Sequence, residues 1–483
     1  MVTKKIKKIC IAMVACISLH SINQTANKKV NNIANIKRNL AEGAKAQFTH
    51  KKDDESNRPW INIFIHGIIS AAPVLSFETM HQIRGDKISN TLYEYYVENV
   101  RSNRFFCKNQ TMQEMGLKEI NTTRKDADDG CPATAKLFDI QYNWSYPEHN
   151  IKNYYYTFGW SGFINKRKMY QDAKIFCKQY IEEIKKFHAK GIYPKTRIIG
   201  FSHGGSEALQ IGAFVQNEKI NTNFSIDELI LLGMPIMDDI DHYVNASIFK
   251  KIYSFYSGSD RIQVLDFSHP KNLFSRRKFR NRKKLKLPDK LIQVRLEMFR
   301  ALPNKSGWGF SKTSRAKRSK ITRHSRALRK SSPGHCEWWF FGWTNKYYRD
   351  NFALAPLSIT SVIPTIITKL ESSNVKPVHS RKFGNQITVQ LKPFEESITI
   401  INKNKKEKVT FLTNNQFDIL KNITKEYPFE KITSQRYGQE VDKELKKAKT
   451  RLAKYNEEHS SSKKRCNHRM HRKNRKSRKT THT

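Results

Sequence analysis

Short apolar runs recur along the chain up to about residue 300, and each is followed by a turn or by a helical pattern. Runs of this length that are bounded by turns predict buried strands. The sequence places six such strands at residues 60–68, 136–146, 196–201, 226–235, 251–260 and 290–299.

Two helical patterns lie between these strands. Residues 167–191 carry apolar side chains at helical spacing and end at Gly191, and a second helix begins near Ser206. Short apolar strands that alternate with helices predict an α/β fold, with a mostly parallel sheet and helices on both faces. In such a sheet, function gathers at the carboxyl ends of the strands.

Changes in composition divide the chain into segments, and the basic residues concentrate in two of them. The segments are a leader at 1–29, a polar lead-in at 30–57, an α/β domain at 58–370 with a basic insert at 271–330, a small β and helical extension at 371–460, and a basic tail at 461–483. The tail has no acidic residue, which predicts disorder.

The leader has the layout of a secretory signal peptide. A lysine-rich start precedes an apolar run from Ile9 to Leu19, which is too short to cross a bilayer as an ordinary helix. The letters "MVAC", ending at Cys16, loosely resemble a bacterial lipoprotein box. We expect an exported protein that is periplasmic, secreted or membrane-anchored. In such a compartment Cys107 and Cys131 would close a polar loop as a disulfide.

The net charge is +46, from 89 Lys and Arg against 43 Asp and Glu. This imbalance favours binding to a polyanion such as an anionic membrane surface or nucleic acid, although a lysine-rich solvated surface is the other interpretation. No helix-turn-helix or RNA-binding signature accompanies it, so sequence-specific nucleic-acid recognition is not expected. The sequence contains no nucleotide-binding loop or metal motif, and we expect no cofactor. Nothing in it indicates the oligomeric state.

The stretch "TRIIGFSHGGSEAL" carries the most specific chemistry. Its residues Gly200 to Gly204 fit the pattern G-x-S-x-G, between an apolar strand and a helical pattern. A nucleophilic serine needs a sharp strand-to-helix turn, where glycine two positions to either side avoids collision with the neighbouring elements. The pattern predicts Ser202 as a nucleophile.

A serine hydroxyl reacts only when a histidine accepts its proton and an acid orients that histidine. The best acid is Asp260, two strands beyond the serine strand, with Asp238, Asp239 and Asp241 as competitors. The best base is His335, which follows the last predicted strand. The weaker candidates are His324 in a basic run, His269 too soon after the acid, and His242 and His379 outside the expected interval.

Two backbone N–H groups complete the candidate site. The first strand ends in His66-Gly67-Ile68, a turn that can aim the N–H of Ile68 at the serine. The N–H of His203, directly after the nucleophile, would be the second donor of an oxyanion hole.

On these residues the chain resembles the α/β-hydrolase superfamily, on its serine esterase and lipase side. The resemblance covers roughly residues 58–370 and implies a Ser-His-Asp triad, an acyl-enzyme, and an ester or lipid substrate. The long basic insert and the region after residue 375 depart from the family's pattern. The alternative hypothesis is a non-catalytic, polyanion-binding protein on a hydrolase scaffold.

Overall fold

A computed structural model of the chain describes residues 58–68, 82, 87–127, 129–148, 152–218, 225–264, 275–299, 333–344 and 353–479. The described residues form an eleven-stranded sheet, a two-stranded sheet and seven α-helices. The predicted leader, the lead-in up to residue 57 and residues 271–274 and 300–330 of the basic insert lie outside this description, as do His269 and His324.

The elements are numbered along the chain. The strands are β1 (Trp60–Ile65), β2 (Gly116–Glu119), β3 (Tyr154–Gly159), β4 (Lys195–Phe201), β5 (Ile226–Leu232), β6 (Phe249–Tyr256), β7 (Leu291–Met298), β8 (Trp343–Thr344), β9 (Val378–Ser380), β10 (Gly384–Lys392), β11 (Ser397–Ile401), β12 (Lys406–Thr410) and β13 (Ile432–Thr433). The helices are α1 (Leu92–Ser102), α2 (Cys131–Ser145), α3 (Lys166–Ala189), α4 (His203–Asn217), α5 (Ile363–Ser372), α6 (Asn414–Lys425) and α7 (Ser434–Lys479).

The large sheet is parallel in its centre and antiparallel at its edges. Its order is β12-β11-β10-β7-β6-β5-β4-β1-β3-β2, and β9 pairs with β10 outside this path. Neighbours from β3 to β10 run parallel, whereas β2, β9, β11 and β12 pair antiparallel. This confirms the predicted α/β class with a mostly parallel sheet.

The central strands are buried on both faces, as parallel strands usually are. Along β1, Phe64 joins a core that includes side chains of α2 and α5, whereas Ile63 joins a core that includes side chains of α3 and α4. This alternation follows from the two-residue side-chain period of a strand. Helices therefore pack on both faces and leave the carboxyl ends of the strands at one edge.

The predicted second strand, 136–146, is wrong, because these residues lie in α2. Pro132 occupies the first turn, where a helix tolerates proline. Leu137, Phe138 and Gln141 are buried at helical spacing. A short apolar run does not distinguish a strand from a buried helix, and here the turn before Cys131 starts a helix. The strand in this region is β3, which the pattern analysis missed.

The C-terminal strands do not form a separate small β unit. Strand β10 pairs with β7 over seven residue pairs, from Asn385 with Ile292 to Leu391 with Met298, and thus extends the main sheet. The segment 371–460 therefore completes the sheet that carries the candidate site.

The long helix α7 contacts the main body through its first half. Val441 and Ala448 share a cluster with Val97 and Val100 of α1. The helix continues to Lys479, so the predicted disorder of 461–483 is not confirmed. Lysine and arginine are good helix formers, and the helix has no proline, nor any glycine after Gly438.

The predicted disulfide is also wrong, since no disulfide joins Cys107 and Cys131. Cys131 is fully buried in the first turn of α2. Burial raises the pKa of its thiol well above the ordinary value, which disfavours the thiolate that disulfide exchange requires. No helix in the described part of the chain is long and apolar enough to cross a membrane.

Candidate active site

Ser202 lies on a strained bend between β4 and α4. Its backbone has φ 51° and ψ −129°, a conformation that costs a non-glycine residue on the order of 1–3 kcal/mol. The bend is held by hydrogen bonds from the Ser202 N–H to the Leu232 carbonyl (2.9 Å) and from the Gly205 N–H to the Ser202 carbonyl (2.9 Å). Such strain persists only where the surrounding structure enforces it, as it does here on both sides of the serine.

The glycines of the motif allow elements to approach more closely than any side chain permits. A Cβ at Gly200 would lie 2.7 Å from the Gly205 Cα. A Cβ at Gly204 would lie 2.3 Å from the His66 carbonyl oxygen and 2.4 Å from that of Ile65. Helix α4 therefore begins in direct contact with the end of β1, as the strand-turn-helix interpretation of the motif requires.

His335 joins the serine to the acid. Its Nε2 lies 3.0 Å from the Ser202 Oγ and its Nδ1 lies 2.8 Å from the Asp260 Oδ2. A carboxylate only accepts hydrogen bonds, so Nδ1 carries the proton and Nε2 is free to accept the serine proton. The imidazole also packs on the Phe201 ring, with the centroids 4.9 Å apart. The structure thus brings together the three side chains that the sequence singled out.

Asp260 is fully buried four residues beyond β6, and several donors fix it. Its Oδ1 accepts the Gln263 N–H at 3.0 Å, and its Oδ2 also accepts the Trp338 Nε1–H at 3.2 Å. The Arg277 guanidinium donates to its main-chain oxygen at 2.7 and 3.0 Å. Trp338 thus helps to orient the acid.

The competing acids and histidines take other roles. Asp238 and Asp241 form ion pairs with Arg276 and Arg282, and Asp239 pairs with Lys166. His242 stacks beside Tyr243, and His379 lies on the exposed strand β9. None of these residues has a hydrogen bond to Ser202 or His335 in the part of the chain that the structure describes.

The predicted oxyanion turn lies directly against the serine. A Cβ at Gly67 would be 2.9 Å from the Ser202 Cβ, so only glycine fits between them. Ile68 is the next residue in the chain after Gly67, and His203 is the first residue of α4, directly after Ser202. Both proposed donors therefore belong to segments that contact Ser202.

A buried carboxyl that the sequence analysis did not single out lies on α4 below this site. Glu207 is fully buried, and neither of its side-chain oxygens has a hydrogen-bond partner among the described residues. Burial, and secondarily the charge of Asp172, raises the pKa of Glu207 well above its ordinary value. Burial therefore favours the neutral form of this carboxyl in the folded protein.

Replacing this residue, Glu207→Gln, is expected to reduce the loss of stability at rising pH. Below the ordinary glutamate pKa of about 4.3, the carboxyl is protonated in both the folded and unfolded states. Above it the unfolded chain releases the proton and the folded chain keeps it, so the free energy of unfolding falls by up to about 1.4 kcal/mol per pH unit. Thermal unfolding at pH 5 and pH 8 should show a gain for Glu207→Gln that is larger at pH 8. The exposed Glu182→Gln on α3 is the control, and an equal change at both pH values would contradict the assignment.

The described residues contain no group of three or more His, Cys, Asp or Glu side chains that could hold a metal ion. Comparisons of the chain with models of protein families, with curated proteins and with solved structures found no match.

Proposed function

We propose that the protein is a serine hydrolase of the α/β-hydrolase type that cleaves carboxylic esters, as esterases and lipases do. One observation carries this proposal, namely the continuous hydrogen-bond chain from Ser202 through His335 to Asp260, with the serine on a strained bend. A serine with a purely structural role requires neither a hydrogen bond to an imidazole nor a strained backbone conformation.

The geometry supports a two-step mechanism through an acyl-enzyme. The Ser202 Oγ attacks the ester carbonyl carbon while His335 Nε2 takes its proton, and Asp260 stabilises the resulting imidazolium. The N–H groups of Ile68 and His203 stabilise the tetrahedral oxyanion. His335 then protonates the departing alcohol, and a water molecule, activated by the same imidazole, releases the acid.

The strand order supports the superfamily resemblance. The strand that ends in the oxyanion turn, β1, neighbours the serine strand β4, and the acid follows β6, two places further along the sheet. This is the arrangement that the resemblance implies. Strands β10, β11 and β12 extend the sheet beyond β7, on the side of β6 and Asp260. The resemblance does not account for these additional strands.

A series of p-nitrophenyl esters with chains of increasing length tests the function and its substrate class. We expect turnover, with a burst of p-nitrophenol that approaches one equivalent of enzyme on esters whose deacylation is slower than acylation. A preference for short chains indicates an esterase, and a preference for long chains in dispersed lipid indicates a lipase. Folded protein with no turnover and no burst on any ester would contradict the proposal.

We also propose that the positive charge holds the exported enzyme on an anionic membrane surface or another polyanion. In the described part of the basic insert, Arg276 and Arg282 pair with internal acids and Arg277 donates to a main-chain oxygen. Lys283, Lys284 and Lys286 are exposed in the same segment. These lysines and the final turns of α7, which carry no acid after Glu458, are the candidates for this contact. Binding to anionic vesicles should weaken steeply with salt and persist in Ser202→Ala, and salt-independent binding would contradict this role.

A further inference from the structure

His66, at the end of β1, has both ring nitrogens engaged. Its side chain is buried, its Nε2 lies 2.7 Å from a guanidinium nitrogen of Arg101, and its Nδ1 lies 2.6 Å from the Gly67 carbonyl oxygen. A guanidinium can only donate, so Nε2 accepts and the single ring proton belongs to Nδ1. Burial, and secondarily the charge of Arg101, lowers the pKa of His66 well below its ordinary value and keeps the ring neutral.

This proton has a structural consequence for the oxyanion turn. The Gly67 carbonyl and the Ile68 N–H belong to one planar trans peptide, and they point in opposite directions. When the His66 Nδ1–H holds the carbonyl, it also fixes the direction of the Ile68 N–H. The hydrogen bond from Arg101 selects the tautomer that makes this contact possible.

The surroundings hold His66 and Arg101 in place. The Trp160 Nε1–H donates to the His66 main-chain oxygen at 2.7 Å, and the Trp160 and His66 rings stack with centroids 5.8 Å apart. Arg101 also donates to the Gln113 carbonyl at 3.1 Å. A Cβ at Gly159 would lie 1.9 Å from the Glu114 carbonyl oxygen and 2.5 Å from the terminal nitrogen of Arg101, so glycine at the end of β3 admits both groups.

The helix that carries Arg101 is in turn supported by the C-terminal helix. Near Arg101, the Asn103 amide on the loop after α1 donates to the buried Glu444 carboxylate of α7 at 2.8 Å, and Arg451 of α7 pairs with Glu98 of α1 at 2.8 Å. The surface pair is worth little on its own. The packed cluster between the two helices does most to keep Arg101 in position.

We propose that Arg101 is a positioning residue that sets the His66 tautomer and thereby preorganises the Ile68 donor of the oxyanion hole. This role rests on the proposed hydrolase function. Arg101 belongs to an early helix, contacts no reacting atom, and acts only through His66. Loss of the Arg101 guanidinium leaves the triad intact and misdirects the Ile68 N–H. The loss therefore weakens stabilisation of the transition state more than it weakens substrate binding.

Arg101→Met is expected to lower kcat for p-nitrophenyl ester hydrolysis by roughly 10²-fold, near the lower end for loss of one oxyanion donor, with KM changed less than about twofold. Arg101→Lys, which keeps a donor and a charge, should recover part of the rate. Arg104→Met, at an exposed site three residues further along the chain and beyond the end of α1, is the control and should match the wild type. Thermal unfolding of each variant verifies that it is folded.

Nitrogen-15 NMR of histidine-labelled protein provides a readout that does not depend on activity. In the wild type the His66 ring should be neutral, with its proton on Nδ1, from pH 5 to pH 8. In Arg101→Met, the Nε2 atom loses its donor and the ring should exchange tautomers or titrate. This measurement needs only the wild type if Arg101→Met does not fold.

Two results would overturn the role of Arg101. The first is a wild-type enzyme that turns over ester while Arg101→Met keeps the same kcat. The second is a wild-type His66 ring that carries its proton on Nε2. An inactive wild type with the expected Nδ1–H tautomer would instead contradict the proposed hydrolase function and leave the structural link between Arg101 and His66 standing.

Discussion

His335→Ala is expected to lower kcat for ester hydrolysis by roughly 10⁶-fold, and adding Ser202→Ala should lower it no further. The imidazole and the hydroxyl act as one unit across their 3.0 Å hydrogen bond, so removal of either group removes the same step. Without Nε2 the serine keeps its proton, and without the hydroxyl the imidazole has nothing to activate. Steady-state kinetics of both single variants and the double variant test this coupling.

The matched control is His242→Ala, because His242 is an exposed histidine whose ring lies beside that of its neighbour Tyr243. It should retain wild-type turnover. Losses in the two single variants that multiply in the double variant would show that Ser202 and His335 act independently, and a loss below tenfold in His335→Ala would remove it from the mechanism.

Gly204→Ala is expected to lower both stability and activity, although it adds one methyl group far from any charge. The new Cβ would lie 2.3 Å from the His66 carbonyl oxygen and 2.4 Å from that of Ile65, and main-chain atoms cannot rotate away. The end of β1 must separate from α4, at a cost of about 1–3 kcal/mol for an overpacked core. This movement carries the Gly67–Ile68 turn away from Ser202, so we expect kcat to fall as well.

Gly438→Ala provides the control for Gly204→Ala. Gly438 also lies in a helix, and a Cβ there would meet no atom within 4 Å. Alanine in a helix interior is favoured over glycine by roughly 0.5–1 kcal/mol, so this variant should be unchanged or slightly more stable. Thermal unfolding and ester turnover, measured for both variants, distinguish the effect of the close contact between Gly204 and the end of β1 from a general effect of alanine in a helix. Wild-type stability and turnover in Gly204→Ala would contradict the packing described here.

The sequence predicted those parts of the site that are determined by neighbouring residues or by order along the chain. The glycines at 200 and 204 mark the bend because the backbone there can accept no side chain. Asp260 and His335 were predicted from their order along the chain, because each of them follows a predicted strand. The structure places both within hydrogen-bond distance of one another, and His335 within reach of Ser202.

The parts that the sequence missed depend on contacts between distant residues. The pairing of β10 with β7 joins residues almost 100 positions apart, and no local pattern marks a strand as the continuation of an earlier sheet. Arg101 reaches His66 across 35 positions, from helix α1, which the pattern analysis did not single out. The pattern at 136–146 failed for a different reason, since a short apolar run fits a buried helix as well as a strand.

The net charge was the most conspicuous feature of the composition, and it says least about the site. Arg276 and Arg282 of the basic insert form ion pairs with Asp238 and Asp241. These pairs connect the loop after β6 to the loop after β5. Within this region some of the cations therefore stabilise the framework of the fold, whereas Lys283, Lys284 and Lys286 are exposed. Charge counted along a sequence does not separate these two groups.

Covalent labelling with a fluorophosphonate probe, followed by peptide mapping, tests the central claim most directly. An activated serine attacks the phosphorus atom, whereas an ordinary hydroxyl does not. We predict one adduct on the folded wild type, on the hydroxyl of Ser202, and none on Ser202→Ala. A folded wild type that takes up no probe, or an adduct that survives in Ser202→Ala, would contradict the claim that this serine is the nucleophile.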